Sequence, residues 1–322
     1  MKFLSKSTPI ITLALSTTFS FYEAPATAFN LTQNNNPSSL ITNLLGDTTG
    51  LSNFTVELTG DGRAFGIFEN DPFSLGLGVA LSTGKVTDLA GVNTDDGDFL
   101  SLGNINDLSR DFGVPGASGD SISMQIDFFA DDTKEQLFFQ YVFGSEEFVE
   151  FGGSQFNDSF SLTLNGRNLA RLSDEETVIN INNLVPKPNG IYHPDFIYNP
   201  VGTGLASDIT KLDGYTIPLL FKGDLIQNAT NTLVINVKDE KDGILDSAVF
   251  IRAGTLGTIE PSPITNGGSG DGDGSGSGDG SGDGDGIVHP VPEPTTTLLI
   301  SALTLGGGSF FKHKSTKKSQ NF

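Results

Sequence analysis

Two stretches gather oxygen ligands between apolar alternations. The first, YVFGSEEFVEFGGSQFNDSFSLTLNG at residues 141–166, carries Glu146, Glu147, Glu150, Asn157 and Asp158 between two strand patterns. The second, VKDEKDGILDSAVFI at residues 237–251, carries Asp239, Glu240, Asp242 and Asp246 between two more. Hard cations take about six to eight oxygens from carboxylates, amides and carbonyls, and loops at one end of a sandwich can supply them jointly. Calcium held by Glu146, Glu147, Asn157, Asp158, Asp239, Glu240, Asp242 and Asp246 is therefore one reading. The other is that Asp242-Gly243 makes a hairpin turn and the carboxylates are solvated loop charges. Like charges crowded into short loops cost free energy unless something compensates them, which keeps calcium in view. An EF-hand is excluded, because setting Gly243 at the invariant glycine puts Lys238 at the first ligand position and Val249 at the last.

Enzyme chemistry finds less to work with. His193 is the only histidine in residues 29–260, and Tyr192-His193-Pro194-Asp195 reads as an exposed turn. No nucleophile-elbow, zinc-protease or phosphate-loop pattern occurs, and without cysteine no thiol chemistry is open. Glycoside hydrolysis needs only two carboxylates at a suitable separation, a role open to Glu146 or Glu147. With no Trp, a sugar-stacking cleft would rest on Tyr141, Tyr192, Tyr198 and Tyr215. The expectation is a non-catalytic adhesive or structural module. A domain that binds or cleaves exopolysaccharide is the alternative.

The elements that must position these residues are mostly strands. Ile122, Met124, Ile126 and Phe128 alternate with polar residues, as do Phe160, Leu162 and Leu164, after which Asn165-Gly166 marks a turn. Residues 137–143 are apolar at both parities, as a central strand should be. Short runs at 178–181, 217–221, 233–237 and 248–251 add further strands. Leu40, Ile41, Leu44 and Leu45 share one helical face, with Pro37 at its first turn and Gly46 at its end. The fold expected is mainly β: an antiparallel β-sandwich, jelly-roll-like, in a single domain with one short N-terminal helix, plus a C-terminal hydrophobic helix. Helices of the length that alternates with strands in parallel α/β folds are missing from the pattern.

The formal net charge is −21, from 18 Lys and Arg against 39 Asp and Glu. A chain so acidic repels phosphate backbones, so nucleic acid is not an expected partner. The ends read as addresses. Lys2 and Lys6 precede an apolar stretch, and Ala26-Thr27-Ala28 is a small-x-small cleavage site, making residues 1–28 a secretory signal. Residues 29–260 are the folded domain, and 261–290 a linker whose 267–286 contain only Gly, Ser and Asp. Such a segment has nothing to bury; its r.m.s. reach is about 25 Å. Residues 291–322 begin Val291-Pro292-Glu293-Pro294, continue through seventeen apolar or small residues, and end with Lys312, Lys314, Lys317 and Lys318. That is a marginal membrane span with a positive end that stays cytoplasmic.

The order of Pro292-Glu293-Pro294, apolar run and basic end resembles the PEP-CTERM sorting signal. The resemblance implies partners in the secretion machinery and an exosortase-type processing enzyme cutting near the Pro-Glu-Pro. It also implies transient residence in the inner membrane and a destination in the envelope or extracellular matrix of a bacterium, beside exopolysaccharide or other surface proteins. Residues 142–151, 156–165 and 238–251, with GLGVALSTG at 76–84, resemble the choice-of-anchor L domain. That family implies a bacterial surface module and brings no catalytic or binding residues with it.

Overall fold

The computed structural model describes residues 28–94, 121–241, 243 and 245–264, all within one compact unit of the chain. The signal residues up to Thr27, most of the linker, the Pro-Glu-Pro motif and the expected C-terminal helix lie outside the described residues. Among the described residues no helix is long and apolar enough to cross a membrane.

Strict alternation builds the smaller sheet. β2 (Leu51–Thr59), β5 (Ser121–Ala130), β12 (Ala229–Lys238), β7 (Ser159–Leu164) and β8 (Arg167–Asn168) pair antiparallel in the order β2-β5-β12-β7-β8. In β5 and β7 every second residue is buried, so one face meets the core and the other water. The β7–β8 hairpin turns on Asn165 and Gly166, at φ 51° and 83°, the left-handed pair that a two-residue turn demands.

The larger sheet combines β1 (Asn30–Gln33), β3 (Phe65–Glu69), β4 (Leu77–Ser82), β13 (Ser247–Arg252), β6 (Gln136–Ser145), β10 (Gly214–Thr216) and β9 (Phe196–Tyr198) in that order. β11 (Leu219–Asp224) also pairs with β6, along the part that β10 leaves open. Nine of the ten residues of β6 are buried. Phe139, Tyr141 and Phe143 point to the smaller sheet, where they meet Ile126, Phe160, Leu162 and Ile235. On the opposite face Val142, Ala248 and Phe250 lie under a second cluster that includes Phe29, Phe73, Leu89 and Leu212. This sheet is covered on both sides.

α1 (Pro37–Leu44) closes one flank of the core, burying Leu40, Ile41 and Leu44. Pro37 stands in its first turn, and the Asn36 side chain accepts from the Ser39 N–H, both as helix-start chemistry requires. Two expected strands need correction. The run at 178–181 makes only isolated bridges at Val178 and Asn180, then turns into α2 (Ile181–Leu184), capped by the Asn180 side chain. In the run at 217–221 the strand begins at Leu219, because Pro218 has no N–H to give a ladder.

Candidate functional site at the acidic end of the sandwich

Antiparallel pairing brings the C-terminal ends of β4, β6 and β12 to the same end of the molecule as the starts of β7, β10 and β13. Ser247 stands opposite Ser145, Gly214 opposite Ser145 on its other side, and Lys238 opposite Ser159. The acidic residues just beyond these positions therefore meet. Glu147, Asp158, Asp213 and Asp239 are each at most 2% exposed, and Asp246 is 6% exposed. These are not solvated loop charges. Burying carboxylates is costly unless hydrogen bonds or opposite charges compensate.

Asp158 joins the two sheets. Its Oδ1 accepts from the Glu240 N–H at 2.9 Å, and its Oδ2 from the Ser247 hydroxyl at 2.8 Å. The Ser145 and Ser247 hydroxyls lie 2.9 Å apart, and Ser145 Oγ accepts from the Glu147 N–H at 2.9 Å. Thr83 Oγ1 accepts from the Ser247 N–H at 2.9 Å, which brings the end of β4 into the network. Glu146 and Asp246 exchange contacts: the Glu146 N–H donates to the Asp246 carbonyl at 3.1 Å, and the Asp246 N–H to Glu146 Oε2 at 3.3 Å. The Asp246 carboxylate occupies the space over Gly84, where a Cβ would fall 1.7 Å from its Oδ2. A larger residue at 84 would have to displace the Asp246 carboxylate.

The other sequence candidates are placed differently. Asn157 Oδ1 accepts from the Asn182 N–H at 2.8 Å, a tie to α2. Glu150 is exposed. Glu240 meets its near neighbour Lys238 at 2.6 Å, and Asp242 lies outside the described residues. Among the described residues no three His, Asp or Glu side chains come together in a group that could hold a metal ion. Sequence reasoning missed Asp213, whose Oδ1 accepts from Asn93 Nδ2 at 2.7 Å and whose N–H donates to the Ser145 carbonyl at 3.2 Å. It also missed Ser145, Ser247 and Thr83. Nothing in their local pattern marks them, because the contacts come from sheet order.

His193 opens the expected turn, its carbonyl accepting from the Phe196 N–H at 2.9 Å, but its side chain is only 17% exposed. Its Nδ1 accepts from the Asp195 N–H at 3.2 Å, and its Nε2 lies 3.7 Å from Asp174 Oδ2. Asp195 is buried and accepts from both the N–H and the hydroxyl of Ser173, at 2.6 Å each. Ser, Asp and His are adjacent here, but the serine hydroxyl gives its proton to the carboxylate. A nucleophile needs its hydroxyl on the histidine instead.

Fold and site together define a two-sheet antiparallel sandwich with a hydrogen-bonded acidic end. The chain belongs to the choice-of-anchor L domain family, whose model matches residues 28–257. That membership points to an extracellular or surface-anchored protein. No curated protein and no solved structure matches the chain.

Proposed function

We propose that this is an exported bacterial envelope or matrix protein, a non-catalytic adhesive or structural module sorted by an exosortase-type system. The observation that carries the reading is the choice-of-anchor L match over residues 28–257. It is supported by the PEP-CTERM-like order of Pro292-Glu293-Pro294, apolar run and basic tail. In this reading residues 1–28 direct export, and the linker holds the sandwich away from the surface to which the tail delivers it. The test is the mass and location of the protein in a bacterium that carries an exosortase-type enzyme. Expected is an envelope or extracellular species lacking residues 1–28 and the tail lysines. An uncut polypeptide in the cytosol rejects the proposal.

Calcium enters the proposal in a narrower form than the sequence suggests. The described carboxylates do not make a ligand set by themselves, so an ion at this end draws part of its shell from beyond them. Melting with and without a chelator decides the matter. If calcium is part of the fold, Tm falls by several degrees on chelation and returns when calcium is restored; an unchanged Tm removes calcium from the proposal.

A further inference from the structure

Among the described residues the larger sheet ends in β1 and β9 and the smaller in β2 and β8. A strand edge is a template for a further strand, and proteins blunt it with short strands, Lys or Pro. β1, β9 and β8 are four, three and two residues long. β11, which pairs only with β6, follows Pro218 and carries Lys222. β2 has none of these guards. It is nine residues long, LSNFTVELT, without Lys, Arg or Pro, and α1 packs beside it without joining its ladder.

The order of side chains in β2 fits a copy of itself. Asn53 at φ 57° and the register shift between Ser52 and Thr55 end the regular stretch on one side, and Gly60 at φ 124° ends it on the other. Between them Phe54, Val56 and Leu58 pack on the core but are only partly buried, while Thr55, Glu57 and Thr59 are exposed. Residues directly opposite in an antiparallel pair share a face. A two-fold axis at Val56 therefore sets Phe54 opposite Leu58 twice and extends the cover of the apolar row in each copy. It also sets Glu57, the only charge in the stretch, opposite Thr55. Moving the axis to Glu57 brings the two carboxylates face to face, which is costly. Moving it to Thr55 runs the ladder into the bulge, with Leu58 opposite Ser52. One register is left.

We propose that β2 is a self-association edge, where two copies of this chain pair antiparallel about Val56 and join their five-stranded sheets into one. A two-fold contact needs a self-complementary surface, and this stretch supplies it. The proposal does not depend on how the chain is sorted. The contact is small, so association belongs in the micromolar range. Each copy carries a formal charge of −21, so the pair tightens as salt screens the repulsion.

The chain has no cysteine, so introduced thiols report the register cleanly. Opposite residues have Cα atoms about 4.5–5.5 Å apart, within reach of a disulfide. Thr55→Cys and Glu57→Cys both change exposed side chains. Oxidised with diamide, an equal mixture of the T55C and E57C chains should give mainly the mixed disulfide dimer, and each chain alone much less. Sedimentation velocity on the purified chain should show a monomer–dimer equilibrium. T55E sets like charges opposite Glu57 in both halves of the contact and should weaken the dimer roughly 3–10-fold, and T55K should tighten it by a similar factor. Asp127 neighbours position 55 within each copy, so Tm is followed to keep the monomer's own stability apart. A wild-type chain that stays monomeric in high salt overturns the proposal, and that is the result if another segment of the same chain takes the edge. Equal association of T55E and T55K overturns it too, as contact through the apolar C-terminal run would give. So do single-variant disulfides forming as fast as the mixed one.

Discussion

The two sheets solve the problem of their second face differently. The five-stranded sheet leaves it to water, with Ser123, Gln125 and Asp127 of β5 and Ser161 and Thr163 of β7 only partly covered. The larger sheet buries Phe68, Val142, Ala248 and Phe250 on its second face, with no third sheet or long helix among the described residues to do it. Loops do it instead. The 70–76 loop hangs on Asp71, whose carboxylate accepts from the N–H groups of Phe73 at 2.9 Å and Leu75 at 3.1 Å and sets Phe73 onto the sheet. The 199–213 loop hangs on Asn199, which accepts from the Ala206 N–H at 2.9 Å and donates to the Leu212 carbonyl at 2.8 Å. Two polar side chains thus organise an apolar cover.

The most severe test of this difference is truncation on the two second faces. Phe250→Ala removes a fully buried ring that packs against Phe29, Phe68 and Phe73. It should cost about 3–5 kcal/mol in urea unfolding. Thr163→Ala on the second face of the smaller sheet should stay within about 0.5 kcal/mol. Similar losses for both would mean that the loop cover packs no better than an open surface.

What could be read from the residues follows the same division. Period-two alternation betrayed β5 and β7, and an unbroken apolar run betrayed β6, because burial on one face or two writes itself into side-chain order. Asn165-Gly166 and the Pro37 helix were legible for a similar reason, each being local backbone chemistry. The partner of each carboxylate was not. Asp158 meets Ser247 across 89 residues, and Thr83 meets Ser247 across 164, so the acidic end depends on which strands are neighbours. The turn at His193 was legible because Pro and Asp beside it are turn residues, whereas the placement of its ring beside Asp174 depends on a separate loop. The cover of the outer face left no periodic trace at all, being made of single residues such as Phe73 and Leu212 in irregular chain.

A middle-sized effect should follow from loosening one loop while sparing both sheets. Asn199→Ala deletes the side-chain bonds to Ala206 and Leu212 and leaves buried backbone groups without partners, a loss of about 2–4 kcal/mol. Amide exchange should quicken over residues 205–212 and stay slow in β5 and β12. Equal quickening in β12 would show that the cover and the sandwich core unfold as one unit, which erases the contrast drawn above.

The gentlest test lies at the rim, where the loop after β8 meets the chain leading into β9. Asp174, exposed at this rim, accepts from the Thr177 side chain and from the Thr177 and Glu176 N–H groups, with His193 nearby. The Thr177 hydroxyl leads these contacts, which together hold the carboxyl down to about 2 from an ordinary 3.8. A carboxyl held low in the fold favours folding above its unfolded value, and that advantage disappears as pH falls through the folded one. Wild type should therefore melt slightly above D174N near neutrality, with the gap closing between about pH 4 and about pH 2. Because the group is solvated, the gap should be the smallest of the three effects and shrink little further in salt, since short hydrogen bonds from uncharged donors supply most of it. A gap that persists unchanged at pH 2 would assign the stabilisation to the turn's shape, and the rim would then join the two sheets by packing without help from charge.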